Sequence, residues 1–135
     1  MNYTGIWIDK DKAHIVSIVN GAESFSTLFS EIEKFTAKGG SGQRFKSGPQ
    51  DVIKDGKYLE REKHQFRNYF KTIVSVVNDA DELVIFGPAD TNQKLNKELE
   101  NNYSDVASRV RAVVKTDSMT DNQIRAWVRD FFELN

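Results

Sequence analysis

The residues best placed to do chemistry sit together in Lys38-Gly39-Gly40-Ser41-Gly42-Gln43-Arg44-Phe45-Lys46. Gln43 has three glycines just before it and cations on either side. An amide is a poor general base, but it can orient a water molecule and offer hydrogen bonds. A backbone N–H in such a setting could stabilise developing negative charge where bulky side chains would obstruct approach. Gly39, Gly40 and Gly42 open backbone conformations that other residues avoid. Lys38, Arg44 and Lys46 would steer such a tip along phosphates. The stretch is not a Walker phosphate loop, since no Gly-Lys-Ser/Thr follows. Nor does a strand lead straight into a helix around it, as in dinucleotide-binding folds.

Charge sets the same region apart. Residues 38–71 hold 9 Lys or Arg against 4 Asp or Glu, a local +5, while the rest of the chain carries 10 against 16. Concentrating one sign of charge raises the local occupancy of oppositely charged partners. Five of the 8 glycines (Gly39, Gly40, Gly42, Gly48 and Gly56) also fall here, which predicts a flexible loop over about residues 36–56. A loop of that length points to function or disorder. From Lys57 the period becomes helical: Tyr58, Phe66, Tyr69, Phe70, Ile73, Val74 and Val77 share one face. Lys63, Arg67 and Lys71 repeat every four residues on another.

The elements that must hold this loop and helix are legible on both sides. Gly5–Ile8, Ala13–Val19 and Glu23–Phe29 read as three strands, rich in β-branched and aromatic residues. Asn20-Gly21 between the last two is a strong hairpin signal. After the long helix, Glu82–Phe86 is a short apolar run typical of a strand covered on both faces. Asp90 or Thr91 can cap a helix carrying Leu95 and Leu99. Val110–Val114 makes a fifth strand. Thr120-Asp121-Asn122-Gln123 matches a capping box, opening a last helix whose Ile124, Trp127, Val128 and Phe131 form a core stripe. The order β-β-β-α-β-α-β-α implies an α/β fold with a five-stranded mixed sheet and helices on its faces, the ribonuclease H-like topology.

That topology raises a metal-dependent nuclease, whose carboxylates would hold divalent metal against phosphate oxygens. The candidates are Asp9, Glu60 or Glu62, Asp90, and Asp117 or Asp121. Each has a competing structural role in a polar turn or at a helix start. His14 and His64 lack any metal-ligand spacing, so each reads as structural or surface, and no metal site or cofactor is expected. A third reading is an interaction domain whose loop orders on a protein partner.

Bulk properties narrow the classes. The length of 135 residues suits one domain with a real core. The absence of cysteine excludes disulfide scaffolds, cysteine nucleophiles and thiolate metal sites. The N-terminus lacks the pattern of a signal peptide, and no apolar run approaches the roughly 20 residues needed to cross a bilayer. A cytoplasmic protein without membrane contact is expected. A pI near 6.1 makes any nucleic-acid contact local.

Gly39-Gly40-Ser41-Gly42-Gln43-Arg44-Phe45, followed by the basic, aromatic helix, resembles the middle domain of archaeal and eukaryotic peptide-chain release factors and of Pelota. That domain carries a Gly-Gly-Gln loop, an Arg-Phe pair and a long basic helix. Leu83-Val84-Ile85-Phe86-Gly87-Pro88 looks like the strand and turn that follow it. The likeness covers roughly residues 5–132, and the chain looks like a short bacterial member of the superfamily. Two departures stand out: Ser41 and Gly42 separate the glycine pair from Gln43, and residues 46–56 interpose a spacer before the helix. The resemblance implies codon-independent hydrolysis of peptidyl-tRNA in the rescue of stalled ribosomes, or RNA and protein binding without catalysis. Gln43 would place water at the scissile ester, Gly39, Gly40 and Gly42 would give the tip its reach, and Lys38, Arg44, Lys46, Arg61, Lys63 and Arg67 would touch rRNA or tRNA phosphates. The implied partners are the ribosome, rRNA and peptidyl-tRNA. The chain has no room for a codon-reading domain or one that recruits a translational GTPase, so a partner protein would supply them.

Overall fold

The computed structural model describes residues 1–32 and 48–134, with residues 48–58 described as helical backbone alone. Asn20 and Gly21 take positive φ, 52° and 84°, as a tight hairpin turn requires. They join β2 (Lys12–Val19) to β3 (Ala22–Phe29), and β1 (Asn2–Ile8) pairs antiparallel with β2. The other turn, between β1 and β2, is closed by Asp9, whose Oδ1 accepts from the backbone N–H of Asp11 and Lys12 at 2.8 and 2.9 Å. β4 (Glu82–Gly87) adds parallel to β1, and β5 (Val110–Lys115) adds parallel to β4. The sheet order β3-β2-β1-β4-β5 is the ribonuclease H-like arrangement that the order of elements implied.

The period-2 alternation of the strands divides the core into two layers. Ile6, Ile8, Ala13, Ile15, Leu83 and Ile85 pack toward α1 (Gly48–Val77), α2 (Thr91–Asn102) and the short α3 (Ser104–Ala107). Trp7, Val16, Ile18, Val84 and Phe86 pack toward α4 (Asp121–Phe131), which contributes Ile124 and Val128. From Leu83 to Phe86, β4 is apolar because helices cover it on both sides. Burying each such side chain contributes about 1.5–3 kcal/mol before the ordering entropy is counted.

Two glycines allow close approach. A Cβ on Gly5 would lie 2.3 Å from Val128 Cγ2, so the bare backbone lets α4 settle on β1. A Cβ on Gly87 would meet the Ile8 carbonyl oxygen at 2.2 Å, and its φ of +153° disfavours any side chain as well.

From Phe66 onward the expected stripe on α1 is present: Phe66, Tyr69, Phe70, Ile73, Val74 and Val77 are all buried, while the Tyr58 side chain lies outside the described residues. Thr120 and Gln123 form the full capping box at the start of α4. The structure corrects one boundary. The loop expected over residues 36–56 gives way to helix from Gly48, so residues 48–56 belong to α1. Pro49 is compatible with a first helical turn, where its missing N–H is not needed. Gly56 in a helix interior costs about 1 kcal/mol relative to alanine, an amount a long helix can absorb. Residues 38–46, with the glycine-rich motif, lie outside the described residues. The short α3, with Val106 buried, was not foreseen.

Candidate nucleic-acid interface

The middle of α1 is anchored by polar contacts to the turn that follows β1. Lys10 Nζ donates to Glu62 at 2.8 Å, and the Tyr69 hydroxyl donates to the Asp9 carbonyl oxygen at 3.1 Å. Burial, reinforced by the carboxylates of Asp9 and Asp11, pushes the Tyr69 phenol well above its ordinary range. It therefore remains a protonated donor. These contacts fix the rotation of α1 about its axis: Phe66, Tyr69 and Phe70 face the sheet, while Arg61, Lys63, His64, Arg67 and Lys71 are exposed.

Of the cations expected to contact RNA, the structure brings Lys63 and Arg67 together, one helical turn apart. They line a groove of about 320 Å³ between α1 and α2, which Lys94 of α2 also enters. Lys94 Nζ stands 4.9 Å from the centroid of the Phe66 ring, close enough for cation–π attraction. Arg61 does not line this groove; it lies two residues before Lys63, about 160° around the helix. Lys38, Arg44 and Lys46, like Gly39, Gly40, Gly42 and Gln43, lie outside the described residues. Sequence reasoning missed Lys94, because its place beside Phe66 depends on two helices packing side by side.

The carboxylates raised for metal chemistry do not gather in one place. Asp9 closes its turn and Glu62 pairs with Lys10; Asp90 holds the N-cap position of α2 without a side-chain capping hydrogen bond, and Asp121 lies in the first turn of α4. Among the described residues no three His, Asp or Glu side chains form a group that could hold a metal ion. A nuclease built on Asp9, a helix carboxylate and Asp90 finds no such convergence there.

His14 is structural. It is buried, hydrogen-bonded to Thr27 Oγ1 at 2.8 Å, and flanked by Trp7 and Phe25 with ring centroids 5.2 Å away on each side. Burial lowers its pKa; Asp121 and Asp9 oppose that shift and Lys12 adds to it. His64 is exposed on α1. No described helix is long and apolar enough to cross a membrane.

No family model and no curated protein matches the chain. Solved structures do match. Pelota from Archaeoglobus fulgidus superposes with a TM-score of 0.55 at 12% identity, over 98% of this chain and 35% of its own. An archaeal translation termination factor, aRF1, gives 0.54 at 10% identity, over 98% of this chain and 39% of its own. The chain thus spans little more than a third of the length of these neighbours. At such identity the likeness is one of fold.

Proposed function

We propose that this chain is a release-factor-like, ribosome-associated protein that acts on peptidyl-tRNA in stalled ribosomes without reading a codon. The observation that carries the proposal is the fold shared along 98% of the chain with Pelota and a translation termination factor. The exposed cations Lys63 and Arg67 on α1 support it, since phosphate contacts need unscreened positive charge at a surface. Lys38, Arg44, Lys46 and Arg61 complete the proposed RNA-contacting set.

In this reading Gln43 stands at the tip of a glycine-rich segment that reaches the ester joining peptide to tRNA. Its side-chain amide orients the attacking water, and its backbone N–H faces the charge that develops in the transition state. Gly39, Gly40 and Gly42 keep side chains out of the approach path.

The test is single-turnover release of peptide from isolated ribosomal complexes by the parent and by Gln43→Ala. Loss of a group that positions water or stabilises charge should slow release by about 10²–10³-fold, with ribosome binding retained. Equal rates would remove Gln43 from catalysis. Binding with no release by either protein would leave a non-catalytic RNA-binding module in place of a hydrolase.

A further inference from the structure

We infer that the groove between α1 and α2 is a seat for backbone phosphates of RNA, made by Lys63 and Arg67 from α1 and Lys94 from α2. The inference rests on the reading of this chain as an RNA-contacting protein and extends it to a second helix.

Three observations converge. First, the groove has a rigid apolar floor: Phe66 and Phe70 are 9% and 3% exposed, with ring centroids 5.5 Å apart. Lys94 is held over Phe66, so part of its rotamer freedom is already surrendered before any ligand arrives. Second, the charge is unbalanced. Glu62, on one wall, is matched by Lys10 at 2.8 Å. Among the described residues Glu98 is the only other carboxylate lining the groove, against Lys63, Arg67 and Lys94. Neither Lys63 nor Arg67 makes an ion pair or side-chain hydrogen bond to the described residues. No described residue takes up their charge.

Third, the cations have a direction. Lys63, Arg67 and Lys71 recur at four-residue intervals and are all exposed, which sets them about 6 Å apart along the helix axis. Successive phosphates of a nucleic-acid strand are separated by a similar distance. A strand running along α1 would meet one cation per phosphate, with Lys94 closing on the nearest phosphate from the opposite side. Arg67 supplies a planar fork suited to phosphate oxygens, and the lysines supply point charges.

The experiment measures binding of the full chain to a fluorescein-labelled RNA hairpin by anisotropy, across salt from about 50 to 200 mM. Lys94→Gln should weaken binding about five- to tenfold at the low end and reduce the salt slope by about 0.9, the share of one phosphate contact. Lys94→Arg should restore both. Glu98→Gln, which removes the unmatched carboxylate, should tighten binding. Lys115→Gln, an exposed cation at the end of β5, should change affinity by less than about twofold, since only contacted phosphates enter the slope.

The groove is overturned if Lys94→Gln matches the parent in affinity and slope, if Lys115→Gln loses as much as Lys94→Gln, or if the parent does not bind the hairpin. It is equally overturned if a polyglutamate peptide binds in a Lys94-dependent way and RNA does not. Ribosome co-sedimentation of the same proteins separates this failure from that of the broader reading. A parent that pellets with ribosomes as well as Lys94→Gln does sinks the groove alone. A parent that binds the hairpin through Lys94 yet never pellets sinks the ribosomal role and leaves the groove standing.

Discussion

The two faces of the sheet use their cations in opposite ways. On the α4 side, Arg129 donates to Glu23 at 2.6 Å, and Arg125 lies 3.6 Å from the same carboxylate while its guanidinium sits 4.6 Å from the centroid of Phe25. Beside them runs an aromatic stack, Phe86 against Trp127 at 4.0 Å and Trp127 against Phe131 at 5.5 Å. Positive charge on this face is spent internally, tying the last helix to β3. On the α1 and α2 side, Lys63 and Arg67 have no such partner among the described residues, and Lys94 rests on a ring in place of a carboxylate. A net charge of −1 conceals this difference. What marks a surface for an outside anion is cation density without a built-in counter-charge.

The comparison can be broken most severely from within the core. Ile124 is fully buried under α4, and Ile124→Ala should lower stability by about 2–5 kcal/mol, read by denaturant unfolding. RNA affinity measured under conditions where the variant remains folded should not change. If affinity falls with it, the two faces are not separable in the way described.

Exchanging the two kinds of cation gives a smaller and sharper contrast. Arg129→Gln should cost about 0.5–1 kcal/mol of stability, as expected for a partly exposed pair, and leave RNA binding intact. Arg67→Gln should do the reverse, with stability within about 0.5 kcal/mol of the parent and weaker RNA binding. Equal effects of both on RNA would mean that overall charge, and not a particular face, governs the contact.

The smallest effect concerns His14 under Trp7 and Phe25. Its pKa is lowered from the ordinary value of 6.5, chiefly by burial. The unfolded chain therefore takes up the proton more readily than the native state does. Stability from this group is whole above about pH 6.5 and is lost as the pH falls from there through the lowered native value. His14→Gln should flatten that part of the stability profile, in spite of the neighbouring Asp121, Asp9 and Lys12. A profile equally steep without His14 would place the acid sensitivity elsewhere.

Much of the scaffold was readable because it rests on local rules. Asn20-Gly21 announced its hairpin through backbone conformation, and Thr120 with Gln123 announced the start of α4 through reciprocal hydrogen bonds. The unbroken apolar run Leu83-Val84-Ile85-Phe86 announced a central strand. α1 starts earlier than the cluster of glycines implies, because helix formation is cooperative and carries Gly48 and Gly56 with it. The charge of the α1 face was visible in the spacing of Lys63, Arg67 and Lys71. The groove was not, since Lys94 meets Phe66 only through tertiary packing. The Glu23–Arg129 bridge, 106 residues apart in sequence, was invisible for the same reason, and so was the sharing of Glu23 by Arg129 and Arg125. Gln43 and its glycines remain an assignment from motif alone, outside the described residues.

The most direct measurement is ribosome co-sedimentation of the parent and of a Lys63→Gln, Arg67→Gln, Lys94→Gln variant, each shown to be folded, as salt is raised. The expected result is that the parent pellets with ribosomes at low salt and is released as salt increases, while the variant stays largely in the supernatant throughout. Equal pelleting of the two proteins, or a parent that never leaves the supernatant even at low salt, would contradict the assignment of this face to ribosomal RNA.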